Sequence, residues 1–136
     1  MNGITVDTSQ LDQLARRLAQ AKTNAYKGAL AAVKKGAQNT KTAIQTDLKG
    51  SSHPGIRRVQ IRYEMHASAT RIEADIAPID TGRHREHGHT GPTVAAIAFF
   101  GTARGGGTHR FYEHGEQELD ATARHVHKAA MEAILP

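Results

Sequence analysis

Two apolar stripes at helical spacing constrain this chain more than any other feature. Leu11, Leu14, Ala15, Leu18 and Ala21 recur at i, i+3, i+4, i+7 and i+10, and Tyr26, Leu30, Val33, Ala37, Ile44 and Leu48 carry the pattern on to Gly50. Side chains spaced this way share one face of an α-helix, so residues 9–49 read as helical. With a break near Lys22-Thr23-Asn24 they form a helix pair; without one, a single helix about 60 Å long results at 1.5 Å per residue. Both remain open at this point. Thr8 or Ser9 offers the N-cap oxygen, Asp12 falls in the first turn, and Gly50 suits the C′ position. Gly28 and Gly36 weaken such a helix by about 1 kcal/mol each relative to Ala, and they permit close approach by another backbone. Ahead of the helix, Gly3 to Asp7 (GITVD) alternates apolar and polar residues, which predicts a short N-terminal strand.

The pattern then changes period. Ser51-Ser52-His53-Pro54-Gly55 is a loop by composition. Val59, Ile61, Tyr63 and Met65 alternate with polar residues, as do Ile72, Ala74 and Ile76, which predicts an antiparallel hairpin over about 58–77 with one buried face. A loop at Ala67-Ser68-Ala69-Thr70 places Met65 opposite Ile72, Tyr63 opposite Ala74 and Arg62 opposite Asp75. It also sets Glu64 against Glu73, which counts against that register.

Ala77-Pro78 ends the second strand. Residues 79–92 (IDTGRHREHGHTGP) are polar and rich in glycine and read as a flexible loop. Thr93 to Phe100 predicts a short helix with Pro92 near its N-cap. A second flexible loop covers about 101–109, and an amphipathic helix over about 111–135 carries Leu119, Ala123, Val126, Ala130 and Ile134, with Gly115 as an alternative start. The expected fold is a single α+β domain: a long N-terminal helix or helix pair, a small antiparallel sheet, a short helix and a C-terminal helix.

Composition bounds the function classes. An apolar content of 38%, with no Trp, three Phe and three Tyr among 136 residues, gives a lean, Ala-rich core of the kind that gains stability by association. Cysteine is absent, so disulfides and thiolate metal sites are excluded. No run nears the ~20 apolar residues of a membrane span, and MNGITVDTSQ lacks the features of a signal peptide; a soluble protein made in a cytoplasm is expected. A net charge of +5 permits nucleic-acid contact. The basic residues, however, are dispersed as Arg16-Arg17, Lys34-Lys35, Arg57-Arg58, Arg83 and Arg85.

Nine histidines invite a metal reading, with His84, His87 and His89 as ligands and Glu86 or Asp80 as the carboxylate. Gly82, Gly88 and Gly91 interrupt that segment, and no apolar anchor fixes it in the way a ligand set requires. His125 and His127 lie about 200° apart on a helix and do not chelate one ion together. No nucleophile elbow is present. Gly105-Gly106-Gly107 lacks the Lys-Ser/Thr of a phosphate-binding loop. Glu113, Glu116 and Glu118 are expected at a helix start for dipole reasons alone. No catalytic, cofactor or metal site is therefore assigned, and the chain is read as a non-enzyme.

The stretch Val94 to Phe111 (VAAIAFFGTARGGGTHRF) joins an apolar run to a glycine-rich loop and an aromatic anchor. Phe99, Phe100, Gly101, Thr102, His109 and Phe111 are its candidate subunit-contact residues. The three Phe side chains serve either the chain's own core or a neighbouring subunit, and in a ring the two roles are compatible.

The layout as a whole resembles one family. VDTSQLDQLARRL, a long Ala/Lys-rich helix, an R-x-x-V-x-I-x-Y strand, IEADIAP, then AAIAFFGT, a loop, His109 with Phe111 and a final helix are similar to the small tail-component or tail-completion (neck) proteins of long-tailed bacteriophages. The IEADIAP segment resembles members from phages of actinobacteria. Phe99 stands where the family often has an acidic residue, and Arg110 where it often has Pro, so polar contacts of those residues are not carried over. The resemblance implies a structural virion protein of the head–tail interface, assembled in the host cytoplasm as a hexameric ring between neighbouring neck and tail proteins. It also implies non-specific contact with genomic DNA in the channel. A tail terminator capping the tail tube is the alternative within that class, and a basic nucleic-acid-binding protein is the alternative outside it.

Overall fold

The computed structural model describes residues 7–79, 83–86, 89–101 and 107–135. Its elements are α1 (Ser9–Lys49), α2 (Pro54–Arg57), β1 (Ile61–Ala67), β2 (Ile72–Pro78), β3 (Arg83–Glu86), β4 (His89–Thr93), α3 (Val94–Phe100) and α4 (Tyr112–Ile134). The architecture is α+β, as the two hydrophobic periods predict. The N-terminal strand expected over Gly3 to Asp7 lies outside the described residues except for Asp7, which is not in a strand.

Helix α1 is one uninterrupted helix of 41 residues. No proline interrupts it, and the apparent break between its two stripes is a change of partner. At about 100° per residue, Leu18 and Gly36, about five turns apart, point the same way. That direction faces α4. Tyr26, Val33, Ala37, Ile44 and Leu48 project roughly 60–120° around the helix from it, toward the hairpin and α3. The N-cap differs in detail from expectation. Neither Thr8 nor Ser9 supplies a capping oxygen; the Asp7 carboxylate accepts the Ser9 N–H at 2.9 Å. Gly50 follows the helix with φ −75°, so no left-handed cap forms there.

The β1–β2 hairpin lies along α1. Gln45 fastens its base: Nε2 donates to the Val59 carbonyl at 2.7 Å, and Oε1 accepts the Ile61 N–H at 2.9 Å. Tyr26 fastens its tip by donating to the Ser68 carbonyl at 2.8 Å. The register is shifted by two residues from the expected one. Met65 faces Ala74, Tyr63 faces Ile76 and Ala67 faces Ile72. The turn therefore begins at Ser68, whose N–H donates to the Arg71 carbonyl at 2.8 Å. The same faces stay buried, because a shift of two preserves the alternation. Glu64 now opposes Asp75 instead of Glu73, while His66 reaches Asp75 at 3.0 Å.

Two loop expectations are corrected. Pro54–Arg57 forms a short helical turn that buries Ile56. Residues 79–92, read as loop, contain β3 and β4, paired antiparallel with an irregularity between Arg83 and Arg85; Pro92 belongs to β4. Polar, glycine-studded segments still form a two-stranded ribbon when its ladder satisfies the backbone.

The core gathers at the C-terminal end of α1. Ile44 and Leu48 are fully buried and meet Ile56, Val59, Ile61, Ala95 and Ala98, with Ile76, Val94, Phe99 and Phe111 packed around them. Helix α4 begins at Tyr112, not Gly115. It runs antiparallel along α1: Gly115 nears Thr40, Thr122 covers Gly36 and Ala129 covers Gly28. A Cβ on Gly28 would sit 2.5 Å from the Ala129 Cβ, so the close approach foreseen at these glycines is made by α4.

Candidate functional site

The end of α3 and the start of α4 bring most of the aromatic-turn residues together. Gly101 closes α3 with φ +76° and donates its N–H to the Ile97 carbonyl at 3.0 Å, a left-handed ending that glycine adopts without a Cβ penalty. Gly107, also left-handed at φ +71°, returns against it and donates to the same carbonyl. A Cβ there would lie 3.1 Å from the Phe100 carbonyl carbon. The His109 N–H then donates to the Ala98 carbonyl at 3.2 Å. Gly107 and His109 thus satisfy two carbonyls in the last turn of α3. Thr102 lies outside the described residues.

Four aromatic rings follow from this turn. Phe99 and Phe111 meet edge to face with centroids 5.0 Å apart, Phe111 and Tyr112 at 5.4 Å, and Phe100 and Tyr112 at 6.2 Å. Their roles divide. Phe99 and Phe111 pack on the chain's own core, whereas Phe100 and Tyr112 are 67% and 65% exposed.

Asp47 pins the turn to α1. Its Oδ1 lies 2.7 Å from His109 Nδ1, and its Oδ2 lies 2.8 Å from His114 Nε2 and 3.0 Å from the Arg110 N–H. An ionised carboxylate only accepts hydrogen bonds, so each ring carries a proton on the nitrogen facing Asp47. Burial pushes the Asp47 carboxyl up. The hydrogen bonds from His109, His114 and the Arg110 N–H outweigh it, and the net shift is below the usual carboxylate range. Chemically this is a three-donor clamp that fixes a loop to a helix end. Asp47, His114 and Tyr112 were not singled out from the sequence. The available signal was Asp47 itself, a carboxylate in the last turn of a helix, where the dipole favours cations.

Three further surfaces stand out. Every residue from Asp7 to Gln20 is exposed, because α4 ends before reaching them. Leu11, Leu14 and Leu18 are 64%, 52% and 59% exposed along this arm. Beyond α4's other flank, a groove of about 400 Å³ lies between α4 and β2 over α1, lined by Val33, Ala37, Ile44, Ile72, Ile76 and Leu119 among others. A separate hollow collects Lys41, Lys49, Arg57 and Arg58, so cations dispersed along the chain converge on one face.

His125 and His127 are exposed on α4. The side chains of His84, Glu86 and His89, and all of Asp80 and His87, lie outside the described residues. Among the described residues, no group of three or more His, Asp or Glu side chains is placed to hold a metal ion, and no helix is long and apolar enough to cross a membrane. Comparison with models of known families, with curated proteins and with solved structures finds no match.

Proposed function

We propose that this chain is a structural subunit that assembles with its own copies into a ring at the head–tail interface of a long-tailed bacteriophage. The observation that carries the assembly half is the exposed apolar surface: Leu11, Leu14 and Leu18 on the arm, Leu119 and Ile134 on α4, and Phe100 beside Tyr112. Helix α4 has no buried residue at all. Exposed apolar stripes along two helices mark surfaces that a partner covers. The virion location rests on the resemblance of the aromatic-Gly-Thr turn and the His109/Phe111 segment to tail-completion proteins.

Within this reading, Phe100 and Tyr112 are the ring-to-neighbour contact, held in place by the Asp47 clamp. The face with Lys41, Lys49, Arg57 and Arg58 is turned toward the DNA channel, where contact is electrostatic and indifferent to sequence. That same basic face favours, as the second reading, a nucleic-acid-binding protein outside any virion. The two readings part on one experiment. Purified protein is mixed with tail tubes and with DNA-filled heads, and the bound copies are counted by mass measurement. A fixed copy number on either particle supports the neck reading. Binding to free DNA that exceeds binding to both particles and falls steeply with salt supports the other.

A further inference from the structure

We propose that the α1 arm of one copy docks into the groove between α4 and β2 of the next copy, joining subunits head to tail. This rests on the self-assembly half of the reading above and not on the virion location. The arm is convex and apolar: at about 100° per residue, Leu11, Leu14 and Leu18 project within roughly 60° of one another. They point along the face that α4 covers further down the same helix, so the stripe is helix-packing surface continued beyond its partner's end. The groove is the concave counterpart. Val33, beside the nearly covered Ala37, forms its floor, Ile72 and Ile76 one wall, and Leu119 with Phe111 the other.

Charge matches the pair. Arg17 projects about 60° from Leu14 at the edge of the leucine stripe, and Glu73, Glu116 and Glu118 line the groove. Glu116 projects on the same side of α4 as Leu119 and is the acid at this rim; Glu73 is paired with Arg71, and Glu118 accepts from Asn39 at 3.3 Å on the other flank of α4. A copy cannot fill its own groove. The floor belongs to the same straight helix as the arm, and Leu14 and Ala37 are about 35 Å apart along it at 1.5 Å per residue. Stripe and groove therefore meet only between molecules. Because they are different surfaces, the contact is heterologous, and it closes into a ring or runs on as a filament according to its rotation.

The test uses two variants of the full chain, with circular dichroism as the check on folding. The arm variant carries Leu14→Asp and Leu18→Asp, and the groove variant carries Glu116→Arg and Leu119→Asp; all four positions are exposed. Sedimentation analysis is expected to show self-association weakened at least about 30-fold in each variant. An equimolar mixture is expected to form a one-to-one pair that grows no further, because one intact arm and one intact groove remain. Pairing between two arms instead predicts that the groove variant associates like the native chain and that the mixture restores nothing; that result overturns the proposal. An arm variant that associates normally also overturns it while leaving self-assembly standing. A native chain that stays monomeric up to about 1 mM removes both.

Discussion

Asp47 occupies a position that helix electrostatics disfavours, in the last turn of α1, and three N–H donors repay it there. Replacing Asp47 by Ala strands those donors in a partly buried site and is expected to lower stability by about 2 kcal/mol or more, measured by urea denaturation. The pH dependence has a definite sign. A carboxyl whose folded pKa is depressed contributes stability above its unfolded value, about 3.9, and loses it as pH falls through the folded value. The stability difference between the native chain and Asp47→Asn is therefore expected to shrink below about pH 4, and a difference that stays constant from pH 6 to pH 2 contradicts the clamp. Gly36 gives a second residue-scale prediction. On an open helix face Gly→Ala gains about 1 kcal/mol, but here the new Cβ lands on the Thr122 side chain. Gly36→Ala is expected to destabilise by about 1–3 kcal/mol, visible as a fall in Tm.

At the scale of elements, α1 organises everything else, offering one face to α4 and another to the hairpin. Gln45 sets where the hairpin begins by bonding both sides of the β1 start. Gln45→Ala is expected to cost about 1–2 kcal/mol and to raise the exchange rate of the Ile61 amide more than that of Met65. Equal acceleration at both sites contradicts a local fastening. The elements themselves were legible because periods of 3.6 and 2 are written directly in Leu14, Leu18, Ile44, Leu48 and in Ile61, Tyr63, Met65. The register was not, since a shift of two leaves the same side chains buried; the backbone bonds from Ser68 to Arg71 and from Ile79 to Gln60 close the observed pairing, and the clash of Glu64 with Glu73 was the one sequence signal against the alternative. The β3–β4 ribbon was illegible for another reason: its strands carry backbone pairing without an apolar alternation. At the site, Phe99, Phe100, His109 and Phe111 were legible as a group. Asp47 was not, because its role depends on a contact 62 residues away.

At the scale of the whole molecule, α4 runs antiparallel along α1, the hairpin and α3 build a small core at the C-terminal end of α1, and the leucine arm lies exposed at the other end. Among the described residues nothing covers that arm, and α4 leaves Leu119 and Ile134 in solvent. A partner that covers these stripes gains roughly 25 cal/mol for each Å² of apolar area removed from water, offset by the cost of ordering the pair. On the proposed reading the lean composition and the exposed stripes have one cause: another copy completes part of the core of this fold. The native mass of the purified, full-length protein tests that claim most directly. The account predicts a discrete assembly of about six times the 14.7 kDa chain mass, and a single chain at every concentration measured would contradict it.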